Sequence, residues 1–123
     1  DLEVGAHVVR VLVTHLGLRP KERRVQVRQI LEVLSVTPPD ILLVLAGDIN
    51  EWLPISRPLR WLHRLLEQAP SARTFPVWLP MLAFDRIWVR PRAALRSFCV
   101  HRSALARHAS DHYPVKAVVV PGA

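Results

Sequence analysis

Gly47-Asp48-Ile49-Asn50 follows directly on Ile41 to Ala46, the longest unbroken apolar run in this 123-residue sequence. An apolar run without alternation marks a strand covered on both faces inside an α/β sheet. Asp48 and Asn50 therefore emerge at a strand's C-terminal end, where open α/β sheets place their ligands. Taken alone, Gly, Asp and Asn are also ordinary turn residues. Asp85 belongs to a second strand, Phe84 to Val89, and shares a face with Ile87 and Val89. A carboxylate on an apolar face must be paired or lie at the sheet's rim, and a salt bridge to a nearby arginine is the plain account. In Ser110-Asp111-His112-Tyr113-Pro114-Val115 an acid and an imidazole stand side by side just before the last strand. Adjacent residues point apart, so Asp111 and His112 can each serve a different partner around one cavity. His15 closes a strand of its own, and such a histidine is ordinary when considered singly.

The elements that must carry these residues are legible from periodicity. His7 to His15 alternates, with Val9, Val11 and Val13 on the face of His7 and His15, which predicts a strand. Gly17 and Pro20 break the chain. From Lys21 onward Val27, Ile30, Leu31 and Leu34 recur at helical spacing, and Thr37-Pro38-Pro39-Asp40 ends that helix. Pro58 suits the first turn of a second helix, running to Gln68, with Leu62, Leu65, Leu66 and Ala69 on one face. After a proline-punctuated stretch, Thr74 to Pro80, come three short strands, Phe84 to Val89, Leu95 to Val100 and Val115 to Val120. Strand, helix, strand, helix and strands in this order predict a layered α/β or α+β unit.

Composition narrows the classes. Half of the residues are hydrophobic and the mean hydropathy is +0.18, which excludes an intrinsically disordered chain. The apolar run is far short of the roughly 18 to 20 residues of a membrane-spanning helix. Asp1-Leu2-Glu3-Val4-Gly5 lacks the basic and apolar regions of a secretory signal. The single cysteine, Cys99, forbids an internal disulfide, so a reducing, cytoplasmic setting is expected. The net charge of +7 is uneven: residues 1–60 hold 8 basic and 7 acidic groups, residues 61–123 hold 9 and 3. Clustered arginine suits a partner with phosphates, although 15 of the 17 basic residues are Arg, a bias that base composition also produces.

Thr14-His15-Leu16, Gly47-Asp48-Ile49-Asn50, Phe84-Asp85-Arg86-Ile87 and Ser110-Asp111-His112-Tyr113-Pro114-Val115 each fall at a strand end. In this order they resemble the endonuclease/exonuclease/phosphatase (DNase I-like) superfamily of metal-dependent phosphoesterases. The similarity extends over almost the whole chain, through Glu51-Trp52 and Ser71-Ala72-Arg73-Thr74-Phe75-Pro76, with Ile49 where Phe is common. The resemblance implies hydrolysis of a phosphodiester or phosphomonoester by metal-assisted in-line attack of water. Asp48 would orient and deprotonate the water, and Asn50 would hold it or a phosphate oxygen. Asp85 would fix one nitrogen of His112 so that the other donates to a phosphate oxygen, and His15 would contact the phosphate or leaving oxygen. Asp111, together with Asp48, would bind Mg²⁺ or Mn²⁺.

In that family these motifs belong to the later part of the domain, while an Asn and the principal metal-ligating Glu come from an earlier part. Residues 1–123 then correspond to the C-terminal half of a four-layer αββα sandwich: an α+β unit of one sheet with covering helices. Its inner sheet face would await the N-terminal half or self-association, and the chain by itself is expected to be inactive or weak. The substrate class, whether nucleic acid, phospholipid or small phosphodiester, is not carried by the four motifs. Phe75, Trp78 and Leu79 could meet it, but packing beneath the Pro58 to Gln68 helix is the expectation for them. Two other classes compete: a zinc-stabilised module using Cys99, His101, His108 and His112, and a non-catalytic nucleic-acid-binding domain using Arg86, Arg90, Arg92, Arg96, Arg102 and Arg107.

Overall fold

The structure, a computed structural model, describes residues 1–122. In chain order it contains β1 (Leu2–Val4), β2 (His7–His15), α1 (Pro20–Val36), β3 (Leu42–Asp48), α2 (Arg57–Leu65) and β4 (Asp85–Arg90). A 3-10 turn over Arg92–Ala94 leads to β5 (Leu95–Val100), α3 (Ala104–Ala109) and β6 (Val115–Val119). The first four strands form a mixed sheet in the order β1-β2-β3-β4. β2 and β3 are parallel, and the other two pairings are antiparallel. A parallel pair needs a long crossover, and α1 supplies it. The fold is α+β, as the element order predicts. β5 and β6 make a separate antiparallel ladder instead of extending the sheet.

One face of the sheet is packed against the helices over its central strands. Leu43 and Leu45 of β3 and Trp88 of β4 meet Val27 and Leu34 of α1 and Leu59 and Leu62 of α2, all buried. Each such side chain contributes about 1.5–3 kcal/mol on leaving water, so this layer anchors the sheet. The opposite face is covered only in part. Val9, Leu42, Ile87 and Val89 are buried with Ala94 and Leu95 beneath the β5–β6 pair, but Val11 is 37% and Val13 80% exposed. The expectation that β3 is covered on both faces therefore holds at Leu42 and fails at Val44 and Ala46, which are half-buried. No helix among the described residues is long and apolar enough to cross a membrane.

Helix α1 buries the stripe its spacing predicts, with Ile30 and Leu31 at its margin. The second helix is shorter than expected. It ends at Leu65, which is 44% exposed, and Leu66 is already extended, so Leu66 and Ala69 reach the core from irregular chain. Two elements lack a periodic signal because they are too short: β1, turned into β2 through Gly5 at φ 60°, and α3, capped by the Ser103 hydroxyl accepting from the Ala106 N–H.

Candidate active site

Strand register alone assembles half of the site. His15 of β2 pairs with Asp48 of β3, and Asp48 pairs with Asp85 of β4. Paired residues lie on the same face of a sheet, so the three side chains stand in a row at one rim. Gly47 permits this closure: its φ is 150°, and a Cβ there would run into the backbone carbonyl of Thr14 on the neighbouring strand. Beyond the strand end, Asn50 adopts φ 49°, a left-handed conformation that Asn tolerates better than most residues. Its N–H donates to Asp48 Oδ1 at 2.8 Å and its Nδ2 to the Leu16 carbonyl at 2.6 Å. The loops after β2 and β3 are thereby tied together.

His112 enters from the segment before β6. That segment is fixed to the proline-rich stretch, because Val77 N–H donates to the Asp111 carbonyl at 2.8 Å and Tyr113 N–H to the Thr74 carbonyl at 3.0 Å. His112 Nδ1 lies 2.8 Å from Asp85 Oδ2, and Thr74 Oγ1 donates to the same oxygen at 2.5 Å. A carboxylate can only accept, so Nδ1 carries the proton and Nε2 is left facing the cavity. Asp85 thus has the histidine partner that the resemblance implies, with a threonine beside it, and not the arginine of the plain account. Nε2 of His112 is 3.8 Å and Nε2 of His15 3.5 Å from Asp48 Oδ2, which lies between two imidazoles. Phe75 packs on the His112 ring at a centroid distance of 4.8 Å, with Phe84 at 6.2 Å.

Asp48, Asp85 and His112 each offer a ligand atom within 4.8 Å of one another, the one such group among the described residues. No hydrogen bond among those residues engages Asp85 Oδ1, and only the imidazoles approach Asp48 Oδ2. Open carboxylate oxygens are the donors a hard divalent cation prefers. Asp111 lines the same cavity but is outside this compact group. Cys99, His101 and His108 do not gather with His112, so the tetrahedral zinc set is not formed. The proposed row of phosphate-binding arginines is also broken. Arg86 is buried facing α2, where burial pushes its guanidinium below the ordinary range against the opposing pull of Glu51. Arg90 donates to the carbonyls of Thr37 and Pro38 at the end of α1.

A cavity of about 1250 Å³ opens at the His15 end of the row, with His15, Asn50, Asp111 and His112 among the residues that line it. Trp78 and Leu79 are 70% and 51% exposed, so they do not pack beneath α2. Three residues that matter to the geometry are given no role by the sequence reading: Thr74 and Glu51, although both lie in stretches that carry the resemblance, and Arg23. Arg23 could have been found, since it extends the buried stripe of Val27, Ile30 and Leu34 by one turn.

No protein-family model matches the chain. It is 33% identical over 117 residues to the uncharacterized protein YbhP of Escherichia coli K12, covering 90% of this chain and 46% of YbhP. YbhP of Shigella flexneri matches equally. The chain spans about half the length of the curated relatives it matches. Among solved structures, a conserved protein of unknown function from Enterococcus faecalis superposes with TM-score 0.70 at 18% identity, over 90% of this chain and 49% of that one. D. rerio TDP2 in complex with a single-strand DNA product gives TM-score 0.62 at 19% identity, over 87% and 54%. An endonuclease/exonuclease/phosphatase protein from Beutenbergia cavernae gives 0.56 at 22%, over 85% and 34%. These likenesses show a DNase I-like fold type for the chain.

Proposed function

We propose that the chain is the C-terminal half of an endonuclease/exonuclease/phosphatase domain and that its site hydrolyses a phosphate ester with a divalent cation. The observation that carries this reading is the 2.8 Å bond from His112 Nδ1 to Asp85, which turns Nε2 toward Asp48. Asp48 Oδ2 orients a water and takes its proton as the new P–O bond forms in line with the ester P–O bond that breaks. The oxygen of the broken bond departs with the bonding pair and is protonated as the alcohol. Protonated at Nε2, His112 donates to a phosphoryl oxygen, and Asp85 stabilises the imidazolium. Asn50 keeps one amide N–H on Leu16, leaving its other N–H and its oxygen for the water or the phosphate. His15, 74% exposed at its side chain, is free to meet the phosphate or the departing oxygen. Asp48 and Asp111 would hold Mg²⁺ or Mn²⁺, which supplies neutralisation of the phosphoryl charge.

In this reading the open face at Val11 and Val13 receives the second sheet of the sandwich. Coverage of about half of each relative and of several structural neighbours supports it. The test is hydrolysis of bis(p-nitrophenyl) phosphate by the protein at its natural length with Mg²⁺ or Mn²⁺. Asp48→Ala and His112→Ala should each lower kcat by about 10²-fold or more, the scale of general acid–base catalysis. Full activity in both variants refutes the assignment.

A further inference from the structure

Arg23 is a buried cation that the reaction proposed above does not use. Its side chain is 11% exposed, against 10% for Glu51 opposite. Nη1 donates to the Leu18 carbonyl at 2.6 Å and to the Gly17 carbonyl at 3.2 Å, and Nη2 to Glu51 Oε2 at 3.4 Å. Glu51 Oε1 accepts the Leu53 N–H at 3.3 Å, while Gln26, one turn further along α1, accepts the Gly17 N–H at 2.8 Å. One guanidinium therefore joins three pieces of chain: α1, the loop after β2 and the loop after β3. A pair this buried adds little net stability, because desolvation offsets its attraction. Its consequence is geometric, since a planar fork fixes several acceptors at once and an ammonium does not.

The two loops so held form one wall of the cavity, where Leu18, Trp52 and Leu53 present an apolar patch beside the polar Asn50 and Glu51. Trp52 is half exposed. Four of the groups that would handle the phosphate, His15, Asp48, Asp85 and His112, are held by other means, namely strand register and the bond between Asp85 and His112. Asn50, on the loop that also carries Glu51, has its own bonds to Asp48 and Leu16. The wall and these four groups are thus positioned independently.

We infer that Arg23 and Glu51 are a positioning pair that holds the Trp52 wall against a flat, apolar group esterified to the phosphate. This rests on the hydrolase reading above, and the experiment separates the two. The protein at its natural length is assayed on bis(p-nitrophenyl) phosphate and on methyl p-nitrophenyl phosphate, which share a leaving group and differ in the second ester. Arg23→Gln, Arg23→Lys, Glu51→Gln and Trp52→Ala should each raise KM for the diaryl ester about tenfold, the scale of one lost aromatic contact. They should leave kcat within about threefold, the pattern of lost uniform binding, and hardly move KM for the methyl ester. A KM that does not rise, or an equal fall of kcat on both esters, overturns the assignment. Amide exchange supplies a second measurement. In Arg23→Gln the Gly17 and Leu53 amides should exchange faster while those of Leu45 and Trp88 do not, and unchanged exchange at both loops removes the clamp. If the unmodified protein cleaves neither ester, the hydrolase reading falls and takes the substrate wall with it, while exchange still decides the clamp.

Discussion

Asp85 shows how a general rule and a family resemblance can point to different partners for one side chain, and the histidine that the resemblance implies is the one in place. Its position on an apolar face demands compensation, and the sequence offers many arginines for the purpose. The structure gives it two donors on one oxygen instead, His112 Nδ1 and the Thr74 hydroxyl. The histidine partner sets a tautomer, whereas an arginine would only have neutralised a charge. In the proposed reaction Asp85→Asn should therefore act mainly on kcat, lowering it by about 10²-fold or more as the imidazolium loses its counter-charge. Thr74→Val removes one donor and should cost about tenfold, in line with one hydrogen bond to a charged group. Steady-state kinetics beside thermal melts decide the matter. A kcat for Asp85→Asn close to that of the unmodified protein would show that the pair does not serve the reaction.

At the scale of elements, the strand ends that bear Asp48, Asp85 and His15 follow from apolar runs and alternation, and so do α1 and the three later strands. What periodicity does not carry is pairing. That β5 and β6 pair with each other, or that Thr74 lies beside Asp85, depends on contacts between distant segments. Short elements such as β1 and α3 escape because a few residues cannot show a period. Helical spacing carries Leu66 and Ala69 past Leu65, where the helix ends, because both are buried from irregular chain and so mimic a helical stripe. The seam between α2 and β4 holds another feature that spacing alone hides. His63 of α2 lies 6.0 Å from the Trp88 ring, and its pKa is lowered below 6.5, first by burial and then by the charge of Arg86. The unfolded chain therefore binds this proton more readily than the folded one. The stability that neutral His63 contributes is complete above its unfolded value near 6.5 and is lost as pH falls from there through the folded value. The Tm of the unmodified protein should consequently drop more between about pH 7.5 and pH 5 than that of His63→Gln. Parallel curves for the two proteins would contradict the shift.

Across the whole molecule, the basic surplus and the apolar surplus have different fates. Part of the first is spent internally: Arg23 and Arg86 are buried, and Arg90 caps the end of α1. The +7 charge is therefore not simply a phosphate-binding surface. The apolar surplus is instead left partly uncovered, on the same sheet face whose rim carries His15, Asp48 and Asp85. Val13 is 80% exposed on that face, more than Val25 at 54% on α1. Burial within this chain would thus make Val13 the safer of the two positions for a charge. If the face receives a second sheet in the protein at its natural length, the order reverses, because an unpaired carboxylate would then be taken out of water. Val13→Glu should lower Tm by roughly 10 °C or more, the size expected for a loss of several kcal/mol in a domain of 150–250 residues. Val25→Glu should stay within about 2 °C, as surface substitutions do. Equal melting of the two variants would leave the face open to water and remove the argument that this chain is one half of a sandwich.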